Sequence, residues 1–553
     1  MSFTTRPELR GTFGAVASTH WLASASGMAV LERGGNAFDA ACAAGFVLQV
    51  VEPHLNGPGG DLPAVFWAAE RGEPLVLCAQ GVSPATATID ALRTRGHVLV
   101  PGTGVEAACV PGSFGGWLLL LEQFGTWSLA DVLAFAIHYA EHGYPVVPGI
   151  TATIERSEPL LRTWPGSAEL YLPAPRPGAT MRNLQLAATW RRLLDESGGT
   201  VEGARAVYYE GFVADEIDRF SREHGGFLTG GDLAAWRATF EPPVTHDYRG
   251  LTVCKTGPWG QGPAALQQLA LLEGFDVADM SEGELVHVMT ECAKLAFADR
   301  DANYGDVEVP LRRLLSEEYT AERRKLIGDE ASGELRPGVG RLPTLEASDR
   351  LVLAGAGEPT RGDTVHLDVA DRFGNLISAT PSGGWLQSSP TIPALGWPLG
   401  TRAQMFWLEE GLPSSLAPGK RPRTTLSPGL VLRDGEPWLA YGTPGGDQQE
   451  QWALHMLVRH VDRGLNLQEA IDAPEWHTDH LISSFYPRGV ALRSLAVESR
   501  FSEEAIAGLR RRRHDVTVAP PWSLGRVSAV ARVDGELRAA ANARAMQGYA
   551  VAR

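Results

Sequence analysis

The reactive chemistry in this sequence gathers on one threonine. Thr364 sits in Gly362-Asp363-Thr364-Val365-His366 and opens a strand-like run that reaches Ala370. The run turns at Asp371-Arg372-Phe373-Gly374-Asn375 and returns as Leu376 to Thr380. A threonine hydroxyl is a weak nucleophile until a base stands beside it. Cutting the chain between Asp363 and Thr364 would create that base. A free α-amine has a pKa of about 7.7–8.0 and is partly neutral near physiological pH. Nucleophile and base would then share one residue, and no separate histidine is needed. Taken alone, a β-branched residue at a strand start is ordinary packing, so Thr364 has to be weighed with its surroundings.

Other chemical signals are weaker. His477-Thr478-Asp479-His480 pairs two histidines, but it lies outside a clear helix and lacks further ligands at zinc spacing, so no metal is expected. Gly257-Pro258-Trp259-Gly260-Gln261-Gly262 lacks the Lys-Ser/Thr ending of a phosphate loop. Arg510 to Arg513 reads as a solvated basic run at a helix end.

The elements that must position Thr364 are helices first and strands later. Apolar spacing and glycine stops predict helices over 20–33, 39–51, 127–143, 183–196, 204–223, 262–274, 283–303 and 314–327. Strands are expected over 64–67 and 74–78. Residues 331–360, rich in Gly, Pro and Glu, read as an exposed, mobile segment ahead of the cut. Beyond Thr364 strands alternate, with helices over 448–463 and 467–471 and strands over 489–492, 515–519, 527–533 and 536–542. This is a mixture of helix and strand without internal repeats.

Composition narrows the function. A hydrophobic fraction of 44% and a charged fraction of 21% suit a soluble globule with a large core. The net charge of −16 argues against a nucleic-acid partner, which needs a basic surface. Cys42, Cys78, Cys109, Cys254 and Cys292 sit in apolar surroundings without a Cys-x-x-Cys, and read as small buried hydrophobes in a reducing compartment. No secretory leader and no run of about 20 apolar residues is visible, so a cytoplasmic location without a membrane span is expected.

The order and spacing of several motifs resemble the gamma-glutamyltranspeptidase family, which are self-cleaving N-terminal-nucleophile hydrolases. The resemblance runs through Gly34-Gly35-Asn36-Ala37, Val51-Glu52-Pro53, Gly57-Pro58-Gly59-Gly60, Val110-Pro111-Gly112, Tyr209-Glu210-Gly211 and Tyr248-Arg249-Gly250. It continues through Leu272 to Asp276, Lys294 to Arg300, Asp363-Thr364-Val365-His366, Lys420-Arg421-Pro422 and Gly442-Thr443-Pro444-Gly445-Gly446. It implies an α+β fold, a four-layered αββα sandwich, formed by one interwoven globule. Autoproteolysis between Asp363 and Thr364 would leave a large part, 1–363, and a small part, 364–553, associated as a heterodimer and possibly as a dimer of these. No cofactor is implied. Thr364 matches the nucleophile, and Gly445-Gly446 matches an oxyanion hole, where two glycines let backbone N–H groups approach a carbonyl. Ser382 matches a hydroxyl that contacts the catalytic amine, and a loop serine is the equal alternative. Thr424 and Thr425 match a pair of hydroxyls that help hold a substrate carboxylate, with half-buried strand threonines as the alternative.

Departures from the family pattern bear on the substrate. Gln80 stands where relatives clamp an α-carboxylate with arginine, and a neutral amide cannot make that bidentate pair. Gln404-Met405 is followed by Phe406-Trp407 with no acid for an α-amine, and Gly384 replaces a pocket asparagine. Trp385, Trp397, Phe406, Trp407 and Trp259 could line a more apolar acyl pocket, although many of the 15 tryptophans must be core. The expectation is therefore an amidohydrolase or acyltransferase working through an acyl-Thr364 ester. Its small-molecule substrate would be other than free glutathione: a small dicarboxylic monoamide, an acylated β-lactam nucleus or another amide. Two alternatives stay open: C–C bond hydrolysis in a natural-product pathway, and an uncleaved, non-catalytic binding protein on the same scaffold.

Overall fold

The strand that follows Thr364 is buried along its whole length. In the computed structural model, which describes residues 3–353 and 363–553, Leu367–Asp371 pairs antiparallel with Gly14–Ser18 on one side and Leu376–Ala379 on the other. The expected hairpin is present. Its turn is closed by the Asp371 carboxylate, which accepts the N–H groups of Phe373 and Asn375 at 2.8 and 3.0 Å. Gly374 takes φ +98°, a conformation that disfavours any side chain.

That strand is the third member of a seven-stranded sheet. In order, its strands are Tyr549–Ala552, Gly14–Ser18, Leu367–Asp371, Leu376–Ala379, Leu62–Ala68, Glu73–Ala79 and Thr239–Glu241. A second sheet of seven runs Leu9–Gly11, Glu536–Ala541, Ser528–Val533, Glu436–Gly442, Gly429–Arg433, Leu251–Lys255 and Val244–Tyr248. Neighbours within both sheets are antiparallel. Ala15, Ala17, Val65 and Val76 of one sheet pack on Leu430, Leu432, Val530 and Ala539 of the other. Period-2 side-chain alternation then leaves each sheet an outer face to cover. Trp21–Glu32, Ala37–Val51, Ser113–Phe124 and Leu129–His142 cover one. Gly262–Leu272, Glu282–Asn303, Gln449–Val461 and Leu467–Asp472 cover the other. The chain is thus an α+β protein with the four-layered helix–sheet–sheet–helix architecture that the resemblance implies.

Local signals explain the helix ends. Asn36 accepts the N–H groups of Phe38 and Asp39 while the Asp39 carboxylate accepts the Asn36 N–H, a closed capping box ahead of a helix buried on every side. The helix expected over 204–223 is two, Val201–Tyr209 and Phe212–Glu223, broken at Glu210-Gly211. Ser113–Phe124 escapes the helical reading because Gly115-Gly116 and a run of leucines erase its periodicity; a Cβ on Gly116 would lie 2.4 Å from the Ala79 Cβ.

Two further expectations are corrected. Residues 489–492 form no strand; the strand starts later, at Ser494–Glu498. The described part of 331–360 is not simply exposed. Leu335, Leu342, Leu345 and Leu351 are partly buried against Trp407, Leu412 and Ile482, and Glu346–Leu353 is helical. Residues 354–360 of that expectation lie outside the described residues. Among those residues no helix is long and apolar enough to cross a membrane. All five cysteines are free and buried.

Candidate active site

Thr364 stands three residues before the inner strand Leu367–Asp371 begins. It is 3% exposed and forms an isolated antiparallel bridge with Ser382. The bridge brings two hydroxyls together: Thr364 Oγ1 lies 3.3 Å from Ser382 Oγ, and Ser382 Oγ donates to the Asp363 carbonyl at 3.0 Å. A hydroxyl has one proton, so the two contacts set a direction. Thr364 O–H points to Ser382, and Ser382 O–H points to the carbonyl of the bond ahead of Thr364. The Thr364 N–H donates to Asp363 Oδ1 at 2.9 Å.

Glycines press Ser382 into place. Ser382 exchanges backbone hydrogen bonds with Asp61, and a Cβ on Gly60 would sit 2.1 Å from the Ser382 carbonyl oxygen. Gly384 takes φ +66°, and a Cβ there would lie 3.0 Å from the Gly59 and Gly60 backbone. Glycine at 384 is therefore set by the approach of two loops. His366 is no base for Thr364. Its ring nitrogens are engaged by Thr380 Oγ1 and Asp368 Oδ1, both at 2.9 Å.

Gly445 and Gly446 line a cavity of about 690 Å³ together with Asp363, Asp447, Gln448, Trp452, His477, Phe485 and Arg526. Gly445 has φ +131° and Gly446 φ +57°. A Cβ on Gly445 would be 2.3 Å from Trp452, and one on Gly446 would be 3.0 Å from Phe485. Among the described residues neither glycine N–H has an acceptor in the protein, which leaves both as donors at the cavity wall.

A buried charge network fixes this loop. Asp447 accepts from Arg300 at 2.6 Å and from the Ser484 N–H and hydroxyl at 2.8 and 2.6 Å. Burial pushes the Asp447 carboxyl up, but Arg300, Arg423 and Ser484 outweigh it and hold its pKa below the ordinary value. Gln261 accepts from Arg300 at 2.7 Å and donates to the Thr425 and Gly446 carbonyls at 2.9 and 3.2 Å. The Trp259–Gly262 loop thus ties Thr425 to the Gly445-Gly446 turn. Thr424 is buried and donates its N–H to the Trp259 carbonyl at 2.8 Å.

The remaining expected site residues scatter. Gln80 lines a different cavity, of about 760 Å³, with Cys78, Asp232, Glu241 and Arg421. Its Nε2 donates to the Pro422 carbonyl, and its Oε1 has no donor among the described residues. Trp385 packs with Met405 and Phe485, one layer behind the cavity of Gly446. Trp407 packs with Leu99, Leu412 and Ile482 and lies under the Arg488 guanidinium, 4.5 Å from its ring centre. Three aromatics belong elsewhere. Trp397 stacks parallel on Tyr208 in the helical core, Phe406 packs with Ile89 and Leu92, and Trp259 lies between the sheets.

Two residues that the sequence pattern discounts reach the cavity. His477 and Asp479 line it, with Nε2 and Oδ2 3.7 Å apart. Burial raises the Asp479 carboxyl, and the contacts with His477 and Gln448 more than reverse this. Trp452 and Phe485 line it too without any signal in the sequence; only their nearness to Gly445 and Gly446 in space marks them. His480 is committed to the Glu334 carbonyl and the Arg493 N–H at 3.1 and 2.9 Å. His287, Glu291 and His514 also converge, but Glu291 is paired with Lys294 at 2.5 Å and the two imidazoles with each other at 2.9 Å.

The gamma-glutamyltranspeptidase family model matches residues 23–552. The glutathione hydrolase-like YwrD proenzyme of Bacillus subtilis (strain 168) is 32% identical over 95% of each chain. The oxamate amidohydrolase proenzyme of Klebsiella pneumoniae is 33% identical over 94% of this chain and 95% of its own. The solved structure of LmbA2991HD is 54% identical, with all of both chains covered and a TM-score of 0.94.

Proposed function

The chain belongs to the gamma-glutamyltranspeptidase family, and from that premise we propose a self-processing N-terminal-threonine amidohydrolase acting on a small amide other than free glutathione. The observation that carries the reading is the hydroxyl relay from Thr364 through Ser382 to the Asp363 carbonyl, beside two glycine N–H groups at a cavity.

Processing follows from the relay. The Thr364 oxygen attacks the Asp363 carbonyl carbon, and Ser382 stabilises the oxygen that becomes negative. The C–N bond breaks, its nitrogen takes the proton lost by the hydroxyl, and Asp363 becomes an ester on Thr364. Water hydrolyses that ester, leaving the Asp363 carboxylate and an N-terminal Thr364. The fragments 1–363 and 364–553 then form a heterodimer. In the mature enzyme the α-amine takes the hydroxyl proton as Thr364 attacks a substrate amide. The Gly445 and Gly446 N–H groups receive the oxyanion, each such donor being worth on the order of 10²–10³ in rate. The leaving amine carries off the proton, and water releases the acyl group. The positions that match the family's cation and acid hold Gln80 and Trp407, so neither of those charges is present to fix a γ-glutamyl zwitterion. Proenzyme relatives named as a glutathione hydrolase-like protein and an oxamate amidohydrolase support an amide substrate without fixing its acyl part.

Denaturing electrophoresis tests the reading. Wild type should give two bands, and Thr364→Ala one. A single uncleaved band for both would replace the enzyme by a binding protein. Mass spectrometry of the acyl group trapped on Thr364 from a mixed amide library would identify the substrate. Cleavage of a γ-glutamyl anilide as fast as any other amide would overturn the part assigned to Gln80 and Trp407.

A further inference from the structure

The cavity in front of Gly445-Gly446 holds a cation that neither step uses. Arg526 lines it and forms an ion pair with the Asp363 carboxylate. Its other terminal nitrogen, Nη1, donates to Gln547 Oε1 at 2.7 Å. Gln547 is in turn fixed by donating to Glu52 Oε1 at 3.1 Å. Arg526 stands two residues ahead of Ser528–Val533, an inner strand of one sheet. The guanidinium is thus anchored in the part of the chain after the cut, whereas Asp363 ends the part before it.

Glu52 does not neutralise this cation permanently. Burial pushes its carboxyl up to about 7, against the pull of Thr19, Gln547 and Arg526. The anion that Arg526 meets directly is Asp363. Hydrolysis of the Asp363–Thr364 bond removes the covalent tie that keeps that anion in place. A fixed guanidinium left at a partly buried wall favours another carboxylate over water, because its fork is already oriented.

The precursor shows what such a carboxylate would be attached to. Asp363 is the acyl half of the amide being cut, and its side-chain carboxylate is separated from the reacting carbonyl by two carbons. We infer that Arg526 is the acyl-specificity residue of the mature enzyme, with Asp363 as its internal stand-in. The substrate is then the monoamide of a short dicarboxylic acid, best matched at the four-carbon, succinyl length. This rests on the self-processing reading and gives its substrate class.

Binding of non-hydrolysable probes, followed by calorimetry, tests the site apart from catalysis. The processed protein should bind succinate at least tenfold more tightly than butyrate. Arg526→Gln should lose that preference and Arg526→Lys keep part of it, with near-ultraviolet circular dichroism confirming the fold of each. Thr364→Ala, uncut with Asp363 in place, should bind succinate poorly, and adding Asp363→Ala to the same uncut chain should restore binding at least tenfold. Equal succinate binding by wild type and Arg526→Gln would overturn the assignment. So would equal binding by the two uncut variants. Should wild type prove uncut on gels, the self-processing reading fails, while the uncut pair still decides whether Arg526 binds carboxylates.

Discussion

Ser382 has one proton and two tasks, and this sets its mutational signature. Its oxygen faces Thr364 and its hydrogen faces the Asp363 carbonyl. Ser382→Ala should slow chain cleavage by about 10²-fold, the lower range for losing one oxyanion donor, while Ser382→Thr restores most of the rate. Time-resolved denaturing gels measure both. At Gly445, with φ +131° and only 2.3 Å between an added Cβ and Trp452, alanine combines backbone strain with overpacking. Each contributes about 1–3 kcal/mol, so Gly445→Ala should lower the unfolding midpoint clearly in a thermal melt. Glu52 makes a pH prediction. Burial raises its carboxyl from 4.5 to about 7, so the folded state holds a proton that the unfolded chain releases. Its contribution therefore weakens as pH climbs from the unfolded value through the folded one, by at most about 3 kcal/mol. Glu52→Gln removes this titration. Its stability relative to wild type, from denaturant unfolding, should rise between pH 4.5 and 7 and level off above; a pH-independent difference would refute the assignment.

At the scale of elements, the Gly445-Gly446 turn is held by a helix far away in sequence. Arg300 on Glu282–Asn303 reaches both Asp447 and Gln261. Asp447→Asn removes one of the two carboxylates paired with that buried guanidinium and leaves Asp301 as the other, so the substitution should cost less than the roughly 3–5 kcal/mol of an unpaired buried charge. It should lower both the urea midpoint and the rate of any acyl transfer, whereas Ser484→Ala, which removes the hydroxyl's hydrogen bonds to Asp447 and from Arg423, should cost about 1–3 kcal/mol. Elements of this kind show how far a sequence can be read. Helices with caps and one apolar stripe, such as Leu129–His142, lie within two residues of their expected bounds. The hairpin after Thr364 is legible because its turn residues are specific. Ser113–Phe124 is not, since a helix packed on glycine contacts has no stripe. The segment 489–492 misleads for another reason: Val490 and Ala491 line the cavity as irregular chain rather than a sheet, and Leu492 is exposed. Thr364, Ser382 and the glycine pair stand out through motif spacing. Arg526, His477 and Asp479 gain meaning only when folding sets them around Gly446.

Across the whole molecule, a cut at Thr364 would not separate two domains. Each sheet interleaves strands from both sides of it. Leu367–Asp371 lies between Gly14–Ser18 and Leu376–Ala379, and Gly14–Ser18 also pairs with Tyr549–Ala552 near the end of the chain. In the other sheet Gly429–Arg433 pairs with Leu251–Lys255, and Leu9–Gly11 pairs with Glu536–Ala541. Separating the two parts would open edges through both sheets and expose the layer between them, where Ala15, Val65, Leu430 and Val530 pack. Hydrolysis of one peptide bond removes none of those contacts. The cleaved protein should therefore elute as one species in native size-exclusion chromatography and resolve into two chains only in denaturant. Residues 364–553 expressed alone should fail to fold, because Leu367–Asp371 would lack its Gly14–Ser18 neighbour and the sheet of Gly429–Arg433 would end there without Leu251–Lys255. Cooperative unfolding of that fragment by itself would show that the interleaving is dispensable and that the cut divides independent units.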